Sequence, residues 1–401
     1  MPVPEAGRAM AWASVIGLGA RLEGAIAEAL EQLGDESGFD LVIAFVSAAY
    51  GPALERLPQL LRPHLGGGML LGCNAGGLIG GGSEEEEEPG IVLLCGRLPD
   101  AVLSCRYLEQ PALPRVSASR EQWWRLLDLV PESGASFLLL ADPSTLDAEA
   151  CARGLDRAFP GATVVGGLTS GAREPGTSRL FADGDVHRAG GMLLALSGNV
   201  VIDSVLAQGC RAIGDPLFVT ACDGNLVNEL DGRRPKEILT ALFATLDEAD
   251  RARFGDALCI GLALPGPRQM VGAGDFLMRN VLGLDPESGA LWIGSRVAPN
   301  AIVQFHLRDG QSAADELEYR LAASLRGALP PSAALLFACA GRGRQMFGVS
   351  GHDSGTLRRM IDIPVAGMFS AGEIAPVQGA TFIHGYSSVF GFIRPRTGGS
   401  A

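Results

Sequence analysis

Only one of the 32 basic residues is a lysine, Lys236. A glycine-rich phosphate loop ending in Gly-Lys-Ser/Thr is therefore absent, and Schiff-base chemistry has a single residue to use. The eight cysteines include no Cys-x-x-Cys pair, and the five histidines show neither His-Glu-x-x-His nor His-x3-His spacing. Zinc thus lacks its usual ligand patterns. Gly-x-Ser-x-Gly is missing too: the Gly167–Gly171 stretch carries its serine at the fourth place, so there is no nucleophile elbow. No basic patch offsets a formal net charge of −13, and a surface this acidic repels phosphate backbones and anionic lipids. The first ten residues lack the basic-then-apolar order of a signal peptide. The two longest uncharged windows, 65–83 and 374–393, are broken by glycine, proline and polar residues, unlike a spanning helix. These absences point to a cytoplasmic protein with no nucleic-acid partner, no stable membrane insertion, no cofactor and no metal.

What is present is apolar and glycine-rich. Hydrophobic residues make up 47% of the 401 and charged ones 19%, enough for sizeable buried cores. At about 100–200 residues per domain the length implies two to four domains. Glycine numbers 55, about twice the ~7% usual in globular chains. The cysteines, Cys73, Cys95, Cys105, Cys151, Cys210, Cys222, Cys259 and Cys339, sit mostly inside apolar runs, as buried thiols do in a reducing compartment.

Periodicity gives an opening helix at 20–33, with Leu22, Ile26, Leu30 and Leu33 on one face. The buried strand LVIAFVS (41–47), a helical stretch near 53–61 and the strand GMLLGCN (68–74) follow. The order recurs with FLLLAD (137–142), a helix capped at Ser144 or Thr145 and TVVGG (163–167). Gly198–Asn199 between two apolar runs reads as a hairpin turn, and 248–256 reads as a break after a helix at 235–246. In the last third, AALLFACAG (333–341), a short helix near 354–361 and a strand at 364–368 repeat the pattern. The fold class expected is α/β, with repeated strand–helix–strand units forming mixed sheets covered by helices, in two related halves.

Three times the unit ends in a glycine-rich corner: Gly72–Gly76, Gly167–Gly171 and Gly367–Gly372. Each corner places a small polar residue where a strand leaves the sheet: Asn74, Thr169 with Ser170, and Ser370. Open α/β sheets bind ligands beyond the carboxyl ends of their strands, so these residues are candidates for lining a pocket, although the glycines would serve tight turns equally well. Gly341-Arg342-Gly343 is a poor dinucleotide motif, because the third glycine position holds Met346. Arg342 suits a bidentate clamp on a carboxylate and Glu373 suits an ammonium, together a zwitterion such as an amino acid; an internal Arg–Glu ion pair is the bland alternative. Cys339 ends a buried strand, and His384 closes another. Cys210 beside Arg211 offers a second thiol next to a cation.

The blocks AQGCRAIGDPLFVTACDGNLVNELDGRRPKEIL (from Ala207), ACAGRGRQMFG (from Ala338) and AGMFSAGEIAPVQGATFIHGYSS (from Ala366) carry a family resemblance. With LLGCNAGGLIG and VVGGLTSGA they make the chain similar to FIST proteins, across about residues 20–395. The resemblance implies an N-terminal FIST domain at 20–230, a C-terminal one at 231–395, and a sensory module that binds a small ligand such as an amino acid. Its motif positions fall on Cys210, Arg211 and Gly214; on Cys339, Gly341, Arg342 and Gly343; and on Gly372, Glu373, Pro376 and His384. Ala212 and Asn74 depart from the family pattern. No kinase, cyclase, receiver or F-box segment lies outside the match, so the expected output passes through a separate signalling protein. A ligand-free interaction scaffold is the competing reading, and an enzyme using Cys339 or Cys210 with His384 as base is a third.

Overall fold

The computed structural model describes residues 9–115, 118–172, 174–264, 274–326 and 329–396. Contacts divide it into two compact units. One comprises the chain up to Ala207, Leu317–Ile383 and the chain from Ser387; the other comprises Gln208–Glu316 and His384–Tyr386.

The first unit contains three six-stranded mixed sheets built to one plan. In the first sheet the strands run Ala11–Leu18, Gly90–Arg97, Leu41–Ser47, Met69–Ala75, Leu180–Ala182, Asp185–His187. In the second the order is Ala101–Leu108, Gly191–Gly198, Ser136–Ala141, Val164–Leu168, Glu373–Val377, Ala380–His384. In the third it is Val201–Gln208, Ser387–Arg394, Ala333–Cys339, Val365–Ser370, Gly77–Gly80, Ser83–Glu85. The third and fourth strands of each sheet are parallel, and the rest pair antiparallel where a register is given. Each parallel pair is a strand–helix–strand unit, and the hairpin after it crosses to the edge of another sheet. The three units therefore exchange hairpins in a closed cycle, which ties them into one fold.

Strands such as Leu41–Ser47 and Ser136–Ala141 are buried along their whole length, which explains their unbroken apolar runs. One face of every sheet meets in a shared core where Ile43, Leu138 and Leu335 join, and Phe45 packs edge-on to Phe337 at 5.9 Å. The opposite faces are covered by helices: Leu22–Leu33 on the first, Ala148–Ala158 on the second, and Leu317 with Leu321 and Leu357 on the third. Gly72, Gly166 and Gly367 occupy one equivalent position. Each pairs with the neighbouring parallel strand (Ala44, Leu139 and Leu336), and a Cβ on any of them would collide with that partner's carbonyl oxygen.

The second unit is a closed barrel of six strands around Ile213, Val227, Ile260 and Phe305. Its strand Cys210–Asp223 is mostly exposed or half-buried, so no apolar run announces it.

The mixed sheets and covering helices agree with the sequence reading; three local expectations do not. Gly198–Asn199 does not close a hairpin: Gly191–Gly198 has both edges occupied, by Ala101–Leu108 and Ser136–Ala141, and Val201–Gln208 joins the third sheet. Residues 248–257 are helical, because the Asp247 side chain accepts from the Asp250 amide as an N-cap. Asp147, accepting from Ala150, caps the helix expected to begin at Ser144 or Thr145.

Candidate functional site

The three glycine-rich corners come together. Asn74 donates from Nδ2 to the Ser170 carbonyl at 2.8 Å and accepts from the Arg179 amide. Ser170 Oγ accepts from the Gly76 amide at 2.8 Å and donates to the Phe369 carbonyl, so a single hydroxyl joins all three corners. Alignment on the close-packed glycines shows that the polar residues occupy different steps: Asn74 matches Leu168 and Phe369, while Thr169 matches Ala75 and Ser370. Thr169 Oγ1 lies 3.0 Å from Ser178 Oγ, which donates to Asp142 at 3.2 Å. Asp142, buried, also accepts from Ser144 N and Thr145 Oγ1. In the first two corners the polar side chains are thus occupied, those of Asn74 and Ser170 by backbone groups and that of Thr169 by Ser178.

The third corner carries charge. Arg342 follows the strand Ala333–Cys339 and is 1% exposed. Nε and Nη2 form a two-pronged pair with Asp353, at 2.7 and 2.9 Å, and the guanidinium lies 5.2 Å from the Phe347 ring centroid. Nη1 has no hydrogen-bond partner among the described residues. Asp353 sits in the helix His352–Met360, where His352 Nδ1 is 2.9 Å away and its ring stacks on Phe347 at 3.6 Å. Burial opposes the Asp353 charge, yet Arg342 and His352 hold its carboxyl well below the usual range. The partner of Arg342 is therefore Asp353, with Glu373 a more distant attraction. Nothing in the spacing of Arg342 and Asp353 marked them as a pair.

Glu373 is wholly buried. Its Oε1 accepts from Ser370 Oγ at 2.6 Å, and its Oε2 accepts from Ser387 Oγ at 2.7 Å. Burial raises its carboxyl to about 7 despite those donors and Arg342. Its folded pKa thus lies above the ordinary 4.5. The stability it contributes is fullest below about 4.5 and is lost as pH rises toward about 7. Glu373→Gln should remove this dependence: unfolding free energies from urea titrations at pH 5 to 8 should fall more steeply for the wild type, by on the order of 2–3 kcal/mol. Parallel profiles would contradict the assignment. Glu84, also raised mainly by burial, contributes in the same direction to both proteins and cancels in the comparison.

Cys339 ends its strand half-buried, next to Ser370 in register. The acidic run 84–88, which reads as a plain solvated loop, organises this region: Glu84 accepts from the Ser354 amide at 2.7 Å, Glu86 accepts from Arg344 N, and Glu87 pairs with the Arg344 side chain.

The remaining candidates belong to the barrel unit. Arg211 pairs with Asp250 at 2.6 Å and approaches Asp309 at 3.6 Å; Arg253 binds the same two carboxylates. Cys210 Sγ lies 3.5 Å from Cys259 Sγ. His384 is 2% exposed and groups with the barrel. Asp142, Ser178, Asp353 and Ser387 were missed by sequence reasoning. A single Ser or Asp is too common to stand out, although Gly351-His352-Asp353-Ser354 is a dense polar stretch after Arg342. Among the described residues no group of three or more His, Cys, Asp or Glu side chains is arranged to hold a metal ion. No helix among them is long and apolar enough to cross a membrane.

Residues 40–233 match the FIST N domain and residues 236–376 the FIST C domain. An uncharacterized protein of Mycobacterium tuberculosis is 42% identical over 255 residues, covering 63% of this chain and 66% of that protein. An uncharacterized protein of Mycobacterium bovis is 40% identical over 255 residues, covering 63% of this chain and 65% of its own. The chain thus spans just under two thirds of the length of these relatives. Among solved structures, the cyanuric acid hydrolase of A. caulinodans aligns over 97% of this chain and 100% of its own, with 11% identity and a TM-score of 0.35.

Proposed function

The chain belongs to the FIST family, and from that membership we propose a small-ligand sensor whose ligand contact is Arg342. FIST domains are recognised as sensory domains in signal transduction. One observation carries the placement: Nη1 of a fully buried guanidinium has no hydrogen-bond partner among the described residues. A buried donor left in that condition costs about 1–3 kcal/mol, more on a charged group, which a ligand oxygen would recover. The ligand class is a small molecule bearing a carboxylate or carbonyl oxygen. An amino acid fits if its ammonium displaces Ser370 or Ser387 from Glu373. Half-buried Cys339 borders the contact on the strand side, while Asn74, Thr169 and Ser170 hold the corners together and touch no ligand. The protein acts in the cytoplasm and passes its state to a separate partner.

Asp353 couples the site to the helix His352–Met360. A ligand oxygen on Nη1 changes the balance of charge around Asp353, and the helix is the element that can respond. The ligand shifts that equilibrium only by its difference in affinity for the two states.

The test is a thermal-shift panel of amino acids and other small carboxylates. A ligand at 100 times its dissociation constant should stabilise the protein by about 2.7 kcal/mol. The shift should vanish in Arg342→Lys, which keeps the charge facing Asp353 but cannot present a third planar donor. No shift for any member, or an undiminished shift in a folded Arg342→Lys, would overturn the proposal.

A further inference from the structure

The barrel holds two thiols in contact. Cys210 begins the strand Cys210–Asp223, and Cys259 is the second residue of Leu258–Ala263. The strand Ile302–Arg308 runs between them, pairing Cys210 with Arg308 and Cys259 with His306. Positions 306 and 308 lie two apart, so both cysteines project from one face of the barrel wall. Their sulfurs are 3.5 Å apart.

That separation favours a bridging atom over a direct bond. Two strand spacings of about 4.8 Å place the two backbones roughly 8–10 Å apart. A disulfide tolerates only about 4.4–6.8 Å between Cα atoms, so forming one would require the barrel to deform. An atom bonded to both sulfurs at about 2.3 Å instead subtends an angle of about 100° across the observed gap. This is the angle of a pyramidal trivalent centre. A linear two-coordinate ion would need the sulfurs about 4.6 Å apart, twice that bond length.

The surroundings suit a soft, weakly hydrated guest. Cys259 is fully buried in a cluster with Phe276 and Met278, and half-buried Cys210 packs against it with Ile302 and Tyr386. Cys210 is therefore the point of entry, and Cys259 closes the chelate.

We propose that Cys210 and Cys259 form a chelating site for a thiophilic trivalent centre of the arsenite, antimonite or organic arsenical class. With phenylarsine oxide the step balances without an oxidant: two S–H bonds break, two As–S bonds form, and the arsenic-bound oxygen leaves with both protons as water.

The experiment is titration of the reduced full-length protein with phenylarsine oxide, followed by intact mass and thiol counting. One equivalent should bind, two thiols should disappear, and peptide mapping should place the adduct on 210 and 259. Cys210→Ser and Cys259→Ala, each checked for an unchanged melting temperature, should weaken binding by about 100-fold or more, because the second bond becomes intermolecular. Cys105→Ser should bind as the wild type does. Wild-type affinity no better than that of Cys210→Ser, absence of binding, or an adduct on other cysteines would each overturn the proposal. Cys210→Ser lies on a half-buried position and keeps the test valid if Cys259→Ala unfolds.

Discussion

Asp353→Ala is expected to destabilise the protein by about 3–5 kcal/mol, because it strands the Arg342 charge in a fully buried position. The loss has three parts. Two charge-assisted hydrogen bonds disappear, His352 loses its acceptor, and a guanidinium with one unpartnered nitrogen is left with three. Asp353→Asn should lose somewhat less, since one amide oxygen still accepts. The double variant Arg342→Met with Asp353→Leu should recover most of the stability, because a buried pair replaced by apolar groups of similar volume is often neutral. Urea unfolding of the three variants checks this. If Asp353→Ala loses less than about 1 kcal/mol, the charge is reaching water and the buried-pair description is wrong.

Gly367→Ala is expected to cost about 3 kcal/mol or more, through backbone rather than side-chain contacts. Gly367 pairs with Leu336 in the parallel centre of the third sheet, where a methyl group would overlap the Leu336 carbonyl oxygen. A clash with backbone cannot be relieved by a rotamer change, so the two strands must part. Gly355→Ala is the control. That glycine lies in the helix His352–Met360, and the nearest atom to its added methyl is Arg359 Nη1 at 4.0 Å. Alanine there should be neutral or stabilising by up to about 1 kcal/mol. Thermal melts should therefore drop for Gly367→Ala and hold or rise for Gly355→Ala. Gly72→Ala and Gly166→Ala should behave like Gly367→Ala, because their equivalent positions make the same close approach. A mild effect at all three would mean the parallel strands are looser than described.

The strand–helix–strand repeat was legible because its central strands are buried on both faces and so appear as continuous apolar runs, as in Leu41–Ser47 and Ala333–Cys339. The barrel was not. The strand Cys210–Asp223 alternates irregularly between exposed and half-buried residues, and its register with Ile302–Arg308 shifts between Ile213 and Leu217. Neither a period of two nor an apolar run survives in such a strand. The hairpin reading at Gly198–Asn199 failed for a different reason. A turn dipeptide reports local chain reversal, whereas strand partners are set by which sheet edges remain open.

At the candidate site, the sequence singled out some of the polar residues near the third corner but not their pairing. Arg342, Glu373, Ser370 and Cys339 stood out because charge and small polar groups are scarce among apolar strand ends. The tertiary contact that fixes Arg342 to Asp353 depends on a helix folding back after residues 343–351, which no local pattern specifies. The corner residues were grouped as if equivalent. The glycine register separates them by one or two steps, and only then does Ser170 emerge as the hydroxyl joining the three corners.

Hydrogen–deuterium exchange, with and without a stabilising carboxylate from the thermal panel, tests the ligand contact at Arg342 most directly. Added protection is expected in 340–347 and in the helix His352–Met360, with smaller changes around 370–373. Protection confined to the barrel residues 208–316, or unchanged exchange despite a thermal shift, would contradict it.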